Sequence, residues 1–133
     1  MRYDFEKLEV YQRAMDFVSR VFELTEEYPQ RIQYSLGDQF RRAALSVCNN
    51  IAEGARRRGP AKRVVYGYAL DSARECVPMI QLSLRRKLIS EDVHDALDDS
   101  CFRIASMMAA LIRSVTRYTF HVKRYTKLAL ETR

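Results

Sequence analysis

The feature that most constrains this chain is an apolar stripe that recurs four times, at alternating spacings of three and four residues. Leu8, Tyr11, Met15, Val18 and Phe22 form the first, and Leu36, Phe40, Ala44, Val47 and Ile51 the second. Tyr66, Leu70, Ala73, Val77, Ile80 and Leu84 form the third, and Leu97, Cys101, Ile104, Met108, Leu111 and Val115 the fourth. A spacing near 3.5 residues holds an apolar face along one side of a helix and suits helices crossing at a shallow angle. The expected fold is therefore all-α, an antiparallel up-down-up-down four-helix bundle, because short connectors force neighbours to run antiparallel. Four glycines and three prolines in 133 residues leave too few turns for a β-sandwich or barrel, and the length suits one domain.

Local signals set the expected boundaries. Asp4 is a candidate N-cap for the first helix, and Pro29 stops it soon after Glu27. Ser35 followed by Asp38 fits a capping box that starts the second helix at Leu36. Gly54 and Gly59 offer its end, and Pro60 opens the third helix, where proline is tolerated in a first turn. Pro78 falls inside the third stripe and should kink that helix near Arg74. Ser90 caps the fourth helix, with Glu91 and Asp92 favoured at its positive end.

Beyond Arg117 the pattern is divided. Tyr118, Val122 and Tyr125 continue the heptad, whereas Tyr118, Phe120 and Val122 alternate with Arg117, Thr119, His121 and Lys123 at a strand-like period. The expectation is a helix ending near Arg117, a bundle over residues 1–117 and a basic C-terminal tail over 118–133. On the fourth helix Phe102, Ala105, Ala109 and Ile112 lie outside the main seam. They are a candidate oligomer interface, the other reading being a wide core-facing stripe.

The net charge is +6, and its distribution is uneven. Residues 1–30 carry −3, residues 31–63 carry +6, residues 64–112 carry −2 and residues 113–133 carry +5. One basic block is the junction of the second and third helices, Arg56, Arg57, Arg58, Lys62 and Arg63, with Arg41 and Arg42 earlier on the second helix. The other is the tail, with Arg113, Arg117, Lys123, Arg124, Lys127 and Arg133 among aromatic residues. Guanidinium groups bind two phosphate oxygens at once, and aromatic rings between cations can stack on unpaired bases. The candidate nucleic-acid-binding residues are Arg41, Arg42, Arg56, Arg57, Arg58, Lys62, Arg63, Arg117, Lys123, Arg124 and Lys127. The bland alternative is a solvated loop and a basic end.

The chemistry-bearing residues point away from an enzyme. Cys48, Cys76 and Cys101 are odd in number and far apart, which suits buried thiols. Glu91 and His94 make one Glu-x-x-His pair, but a di-iron bundle needs two such pairs, and Tyr118 stands three residues before His121. Asp92, Asp95, Asp98 and Asp99 read as acids at a helix start. No glycine-rich nucleotide loop and no nucleophile–histidine arrangement stands out. The expectation is no catalytic residue, no metal and no cofactor. No apolar run is long enough to cross a membrane, and Met1 to Val10 lacks the apolar region of a signal peptide, so a cytoplasmic protein is expected.

Two stretches then carry a family resemblance. Phe5-Glu6-Lys7-Leu8-Glu9-Val10-Tyr11-Gln12-Arg13-Ala14, and Arg41-Arg42-Ala43-Ala44-Leu45-Ser46-Val47 followed by Asn50-Ile51-Ala52-Glu53-Gly54, resemble the four helix bundle proteins encoded in intervening sequences of bacterial large-subunit ribosomal RNA genes. The resemblance covers about residues 5 to 117. That family is similar to the accessory variability determinant of diversity-generating retroelements, a homopentamer that binds a reverse transcriptase and nucleic acid. The resemblance implies a non-enzymatic, basic, nucleic-acid-binding accessory protein, a homopentamer by that likeness, acting with a reverse transcriptase or on structured RNA. Arg41, Arg42, Asn50, Glu53 and Gly54 carry its signature. The alternative is an oligomeric scaffold for an acidic protein partner. Pro78 and the tail beyond Arg117 depart from the family pattern.

Overall fold

The computed structural model describes the backbone of residues 1–131, and side chains in that range except at 118–122 and 125. All regular structure in it is helical. A 3-10 turn at Asp4–Lys7 leads into α1 (Glu9–Glu26); a short turn α2 (Gln30–Ile32) and a π-helical segment (Gln33–Gly37) lead into α3 (Asp38–Arg56). Then follow α4 (Pro60–Arg85) and α5 (Glu91–Glu131). α3 packs along α4, α4 along α5, and α1 on α3 with a lighter seam to α5.

The second stripe is buried as the spacing predicts: Phe40, Ala44, Val47 and Ile51 are all sealed from solvent. So are Leu97, Cys101, Ile104 and Met108 on α5. Burying a side chain as large as Phe40 or Ile51 contributes about 1.5–3 kcal/mol. On α4 the buried face is narrower in volume than the stripe suggests. Tyr66, Ala69, Ser72, Ala73, Cys76, Ile80 and Ser83 form it, while Leu70, Val77 and Leu84 stand at its edge. Small residues let neighbouring backbones come close. Cys101 Sγ of α5 donates to the Ala73 carbonyl of α4 at 3.0 Å.

Several expectations are corrected. The core face of α1 is Val10, Ala14, Phe17, Val18, Val21 and Thr25, a rotation from the stripe read in the sequence, and Met15 is exposed. α1 is flanked on two sides, by α3 and α5, so its buried sector is wider than one heptad seam. Asp4 lies in the 3-10 turn, and Leu8 is the residue that precedes α1. Ser35 does not cap a helix: it sits within the π segment, and its hydroxyl donates to the Ile32 carbonyl at 3.2 Å. Helical structure resumes right after Pro29, six residues before Leu36. α5 does not end near Arg117 but runs on to Glu131, so the heptad continuation prevails over the alternation. Tyr118, Phe120, His121, Val122, Tyr125 and Arg133, which figured in the reading of the tail, lie outside the described residues or side chains.

Other signals hold. Pro60 opens α4 after Gly59, whose φ of +60° and ψ of −140° suit only glycine. By contrast, Pro78, expected to kink the helix near Arg74, faces solvent and leaves no break in α4, which is helical from Pro60 to Arg85. The helix ends in a paired-carbonyl stop, Leu88 N–H to Ser83 O and Lys87 N–H to Leu84 O at 2.9 Å each, with Lys87 in the left-handed conformation. Ser90 then caps α5, accepting from Val93 N–H at 3.2 Å.

Among the described residues the buried polar side chains are satisfied. Tyr28 donates its hydroxyl to Ser83 Oγ at 2.8 Å, and Ser83 donates to the Met79 carbonyl at 2.7 Å, tying the end of the α1 hairpin to α4. Burial raises the thiols: Cys48 and Cys101 each to about 11, and Cys76 further. A thiol raised in the folded state stays protonated there while the unfolded chain ionises. Its contribution is therefore intact below the unfolded value of about 9 and is lost as pH climbs towards 11. We expect all three thiols to resist a water-soluble disulfide reagent at pH 8 until denaturant is added. Stability measured by urea unfolding should fall between about pH 9 and 11. Rapid native-state labelling, or a flat stability profile, contradicts this packing.

Candidate nucleic-acid interface

The first basic block is the corner between α3 and α4. The last turns of α3 hold Glu53, Gly54 and Arg56, and the chain reverses through Arg57, Arg58 and Gly59 into Pro60. Glu53 holds two of the cations, pairing with Arg57 at 2.6 Å and Arg56 at 3.2 Å. Lys62 Nζ reaches back to the Ala55 carbonyl at 3.3 Å, where a cation favours the helix C-terminus, and lies 5.7 Å from the centre of the Tyr66 ring. Arg58 and Arg63 are exposed and form no ion pair among the described residues.

The second block lies on α5, where Arg113, Arg117, Lys123, Arg124 and Lys127 are all exposed. Lys127 pairs weakly with Glu131 at 3.8 Å. Far apart in sequence, the two blocks lie towards the same end of the molecule. The chain reverses between α4 and α5, and Cys101 meets Ala73 across that pair. Equal steps back along α4 to Pro60 and forward along α5 end at Ser114. The α3–α4 corner is thus level with the start of the α5 basic block. The 3-10 turn at Asp4–Lys7 packs on α3 towards the same end, but its acids are engaged: Asp4 with Lys7 at 3.6 Å, and Glu6 with the Tyr3 N–H at 3.1 Å.

The structure separates Arg41 and Arg42 from both blocks. Arg41 is half-buried and donates to Gln33 twice, to Oε1 at 3.0 Å and to the main-chain oxygen at 3.1 Å. Gln33 Nε2 in turn donates to the carbonyls of Tyr28 at 2.8 Å and Glu26 at 3.0 Å. This chain of bonds holds the π segment against the end of α1. Arg42 is exposed and pairs with Asp38 at 3.1 Å. Asn50 donates to the Ser46 carbonyl at 2.9 Å and to Ser46 Oγ at 3.0 Å, and Ser46 meets Ser72 of α4 at 2.9 Å.

Two contributors escaped the sequence reading. Gln33 offers no pattern of its own, since its role depends on the π segment. Tyr68, an exposed aromatic little more than a turn after Arg63, was legible in principle: two residues on a helix face apart, so a core Tyr66 sends Tyr68 outward.

The second apolar face of α5 divides. Ala105, Ala109 and Ile112 are half-buried, and the first two line a groove of about 400 Å³ with Ala73, Arg74 and Val77 of α4. Phe102 stands at its rim, 71% exposed. At the start of α5, His94 Nδ1 lies 2.9 Å from Asp95, and no three metal-ligating side chains converge among the described residues. No described helix is long and apolar enough to cross a membrane.

A family profile for the 23S rRNA-intervening sequence protein matches residues 6–110. The chain belongs to the 23S rRNA-intervening sequence protein family. It is also similar to the crystal structure of a protein of unknown function from the S23 ribosomal protein family of Bacteroides thetaiotaomicron. The TM-score is 0.72 at 19% identity, over 78% of this chain and 95% of that one, a likeness of fold. No curated protein matches. The family match ends within α5, so most of the α5 basic block lies beyond it.

Arg41 gives a direct test of how the signature is used. Arg41→Ala leaves Gln33 with an unmet acceptor and should destabilise the fold by about 1–3 kcal/mol. RNA affinity of the folded variant should change less than twofold. A large loss of affinity with unchanged thermal stability would assign Arg41 to the interface instead.

Proposed function

We propose that this chain is a non-enzymatic accessory protein that binds structured RNA through its basic end, on a subunit built as an antiparallel up-down four-helix bundle. The observation that carries the reading is the placement of two basic blocks towards one end, with Arg58 and Arg63 exposed and in no ion pair among the described residues at the corner, and the α5 cations starting level with it. The bundle arrangement is supported by the packing order, in which each long helix touches its sequence neighbours and α1 meets α5. Membership of a family named for an intervening sequence of 23S ribosomal RNA makes RNA the natural polyanion. The cytoplasm is where such an RNA is met.

Binding of this kind is electrostatic. Each phosphate neutralised releases counterions, so affinity falls by about 0.9 log unit per contact for each tenfold rise in salt on a duplex. Filter binding to structured RNA and to DNA at two salt concentrations tests it. The expected result is submicromolar affinity for RNA at low salt and a steep fall with salt, weakened at least tenfold by Arg58→Glu with Arg63→Glu. Affinity of micromolar or weaker for both nucleic acids at low salt rejects the reading.

The likeness to the accessory variability determinant extends the proposal to a homopentamer acting with a reverse transcriptase. The face offered to a second copy is Phe102 with Ala105, Ala109 and Ile112. Sedimentation equilibrium would then give five times the 15.6 kDa of one chain, and Phe102→Asp would lower it. The same exposed Phe102 favours a second reading, an oligomeric scaffold whose basic end holds an acidic protein; retention of oligomers with no RNA binding is the result that selects it.

A further inference from the structure

α5 outruns the bundle. From Ser114, level with the α3–α4 corner, to Glu131 it extends about 25 Å at 1.5 Å per residue. Thr116, Arg117, Lys123, Arg124 and every described side chain from Thr126 to Glu131 are exposed. At 3.6 residues per turn, Arg113, Arg117, Arg124 and Lys127 fall within about 80° of arc, with Lys123 at their border. The core-facing residues of the same helix, Leu97, Cys101, Ile104 and Met108, lie on the opposite side. The cations therefore form one stripe, about 21 Å long, that faces away from the bundle.

This stripe lacks the counter-charges of an ordinary solvent-facing helix. No acid occurs between Asp99 and Glu131. An exposed helix is ordinarily laced with opposite charges four residues apart, which support it. Here Arg113 and Arg117, and Lys123 and Lys127, are like-charge pairs at that spacing, which repel. Among the described residues Glu131 pairs with Lys127, at the far end. The arrangement costs the isolated helix stability, and a polyanion laid along the stripe would reverse that cost.

We propose that the outward stripe of α5 is a docking site for the sugar-phosphate backbone of duplex nucleic acid, in its RNA form, and that the duplex lies along the rod. The inference rests on the RNA-binding reading above and adds the site and the form of the ligand. A helix holds its charges at fixed distances, and a duplex does the same with its phosphates, about one per 1.7 Å of axis. A single strand is instead gripped by a groove that encloses its bases, whereas the stripe is the exposed, convex side of a helix. Three of its four cations are arginines, whose forked donors suit phosphate oxygens.

The test uses the full chain and a variant with Arg113→Gln, Arg117→Gln, Arg124→Gln and Lys127→Gln, since glutamine keeps helix propensity. Circular dichroism checks that helix content is unchanged. The probes are an RNA duplex long enough to cover the rod, an unpaired RNA and a DNA duplex of the same length, and polyglutamate. The expected result is that the parent prefers duplex RNA over the other three. The variant should lose tenfold or more in affinity for duplex RNA, with a salt slope flatter by about three to four log units. An unchanged slope, equal or better binding of unpaired RNA, a preference for duplex DNA, or a variant effect confined to polyglutamate overturns the proposal. If only Arg58→Glu with Arg63→Glu abolishes RNA binding, the RNA-binding reading stands and the rod site falls; if the parent binds no nucleic acid, both fall.

Discussion

Gly54 has no Cβ, and the Tyr66 ring occupies the space one would need. A Cβ built there would meet Tyr66 Cδ1 at 2.5 Å and Cε1 at 2.7 Å. Tyr66 is itself buried, so its ring has little freedom to retreat. This contact sets how closely α3 and α4 approach at their shared corner. The corner's cations hang from the same few residues: Glu53 beside Gly54 gathers Arg56 and Arg57, and Lys62 reaches from α4 over the Tyr66 ring to the end of α3. If the helices spread, the Lys62 bridge opens and the positions of Arg58 and Arg63 change with it.

The signature residues of the family are thus mostly spent on architecture. Arg41 holds the π segment through Gln33, Asn50 and Ser46 link α3 to Ser72, Glu53 organises the corner, and Gly54 admits Tyr66. A buried or half-buried polar group left without its partner costs about 1–3 kcal/mol, so each of these bonds restrains the sequence. Such restraint is a structural reason for these residues to occur together. It also shifts the candidate binding surface to residues outside that pattern, Arg58, Arg63 and the cations of α5.

Much of the fold was legible because apolar spacing reports burial wherever a helix shows a single face to the core. α3 and the bundled part of α5 do so: Phe40, Ala44, Val47, Ile51, Leu97, Cys101, Ile104 and Met108 are buried, and Leu36, Leu111 and Val115 at the stripe ends are half-buried. α1 was read out of phase because large residues such as Met15 and Phe22 drew the stripe towards them, while small Ala14 and polar Thr25 are the ones sealed. Thr25 is sealed because its hydroxyl is satisfied by the Val21 carbonyl at 2.8 Å, a bond that composition cannot show. The π segment was invisible for a similar reason: it is held by Gln33 and Arg41, eight residues apart, and no local preference encodes it. At the candidate site, the two blocks were visible as charge, but their lying towards one end required knowing where the helices reverse. The end of α5 was misjudged because alternation and heptad share Tyr118 and Val122, and sequence alone gives no energy to choose between them.

The division of labour along α5 follows from the same physics. Up to Val115 its apolar face packs on the other helices, and the family match stops at residue 110, close to where that packing fades. Beyond, no described side chain is buried, so the extension gains almost nothing from the core. An isolated stretch of that length is marginal as a helix in water, and it persists here by propagating from a turn already formed. Because nucleation is already supplied, the added turns need not contribute apolar burial, and their surface is free to carry four cations against the single acid Glu131. A core that fixes the fold can in this way carry a rod whose composition answers only to what it touches.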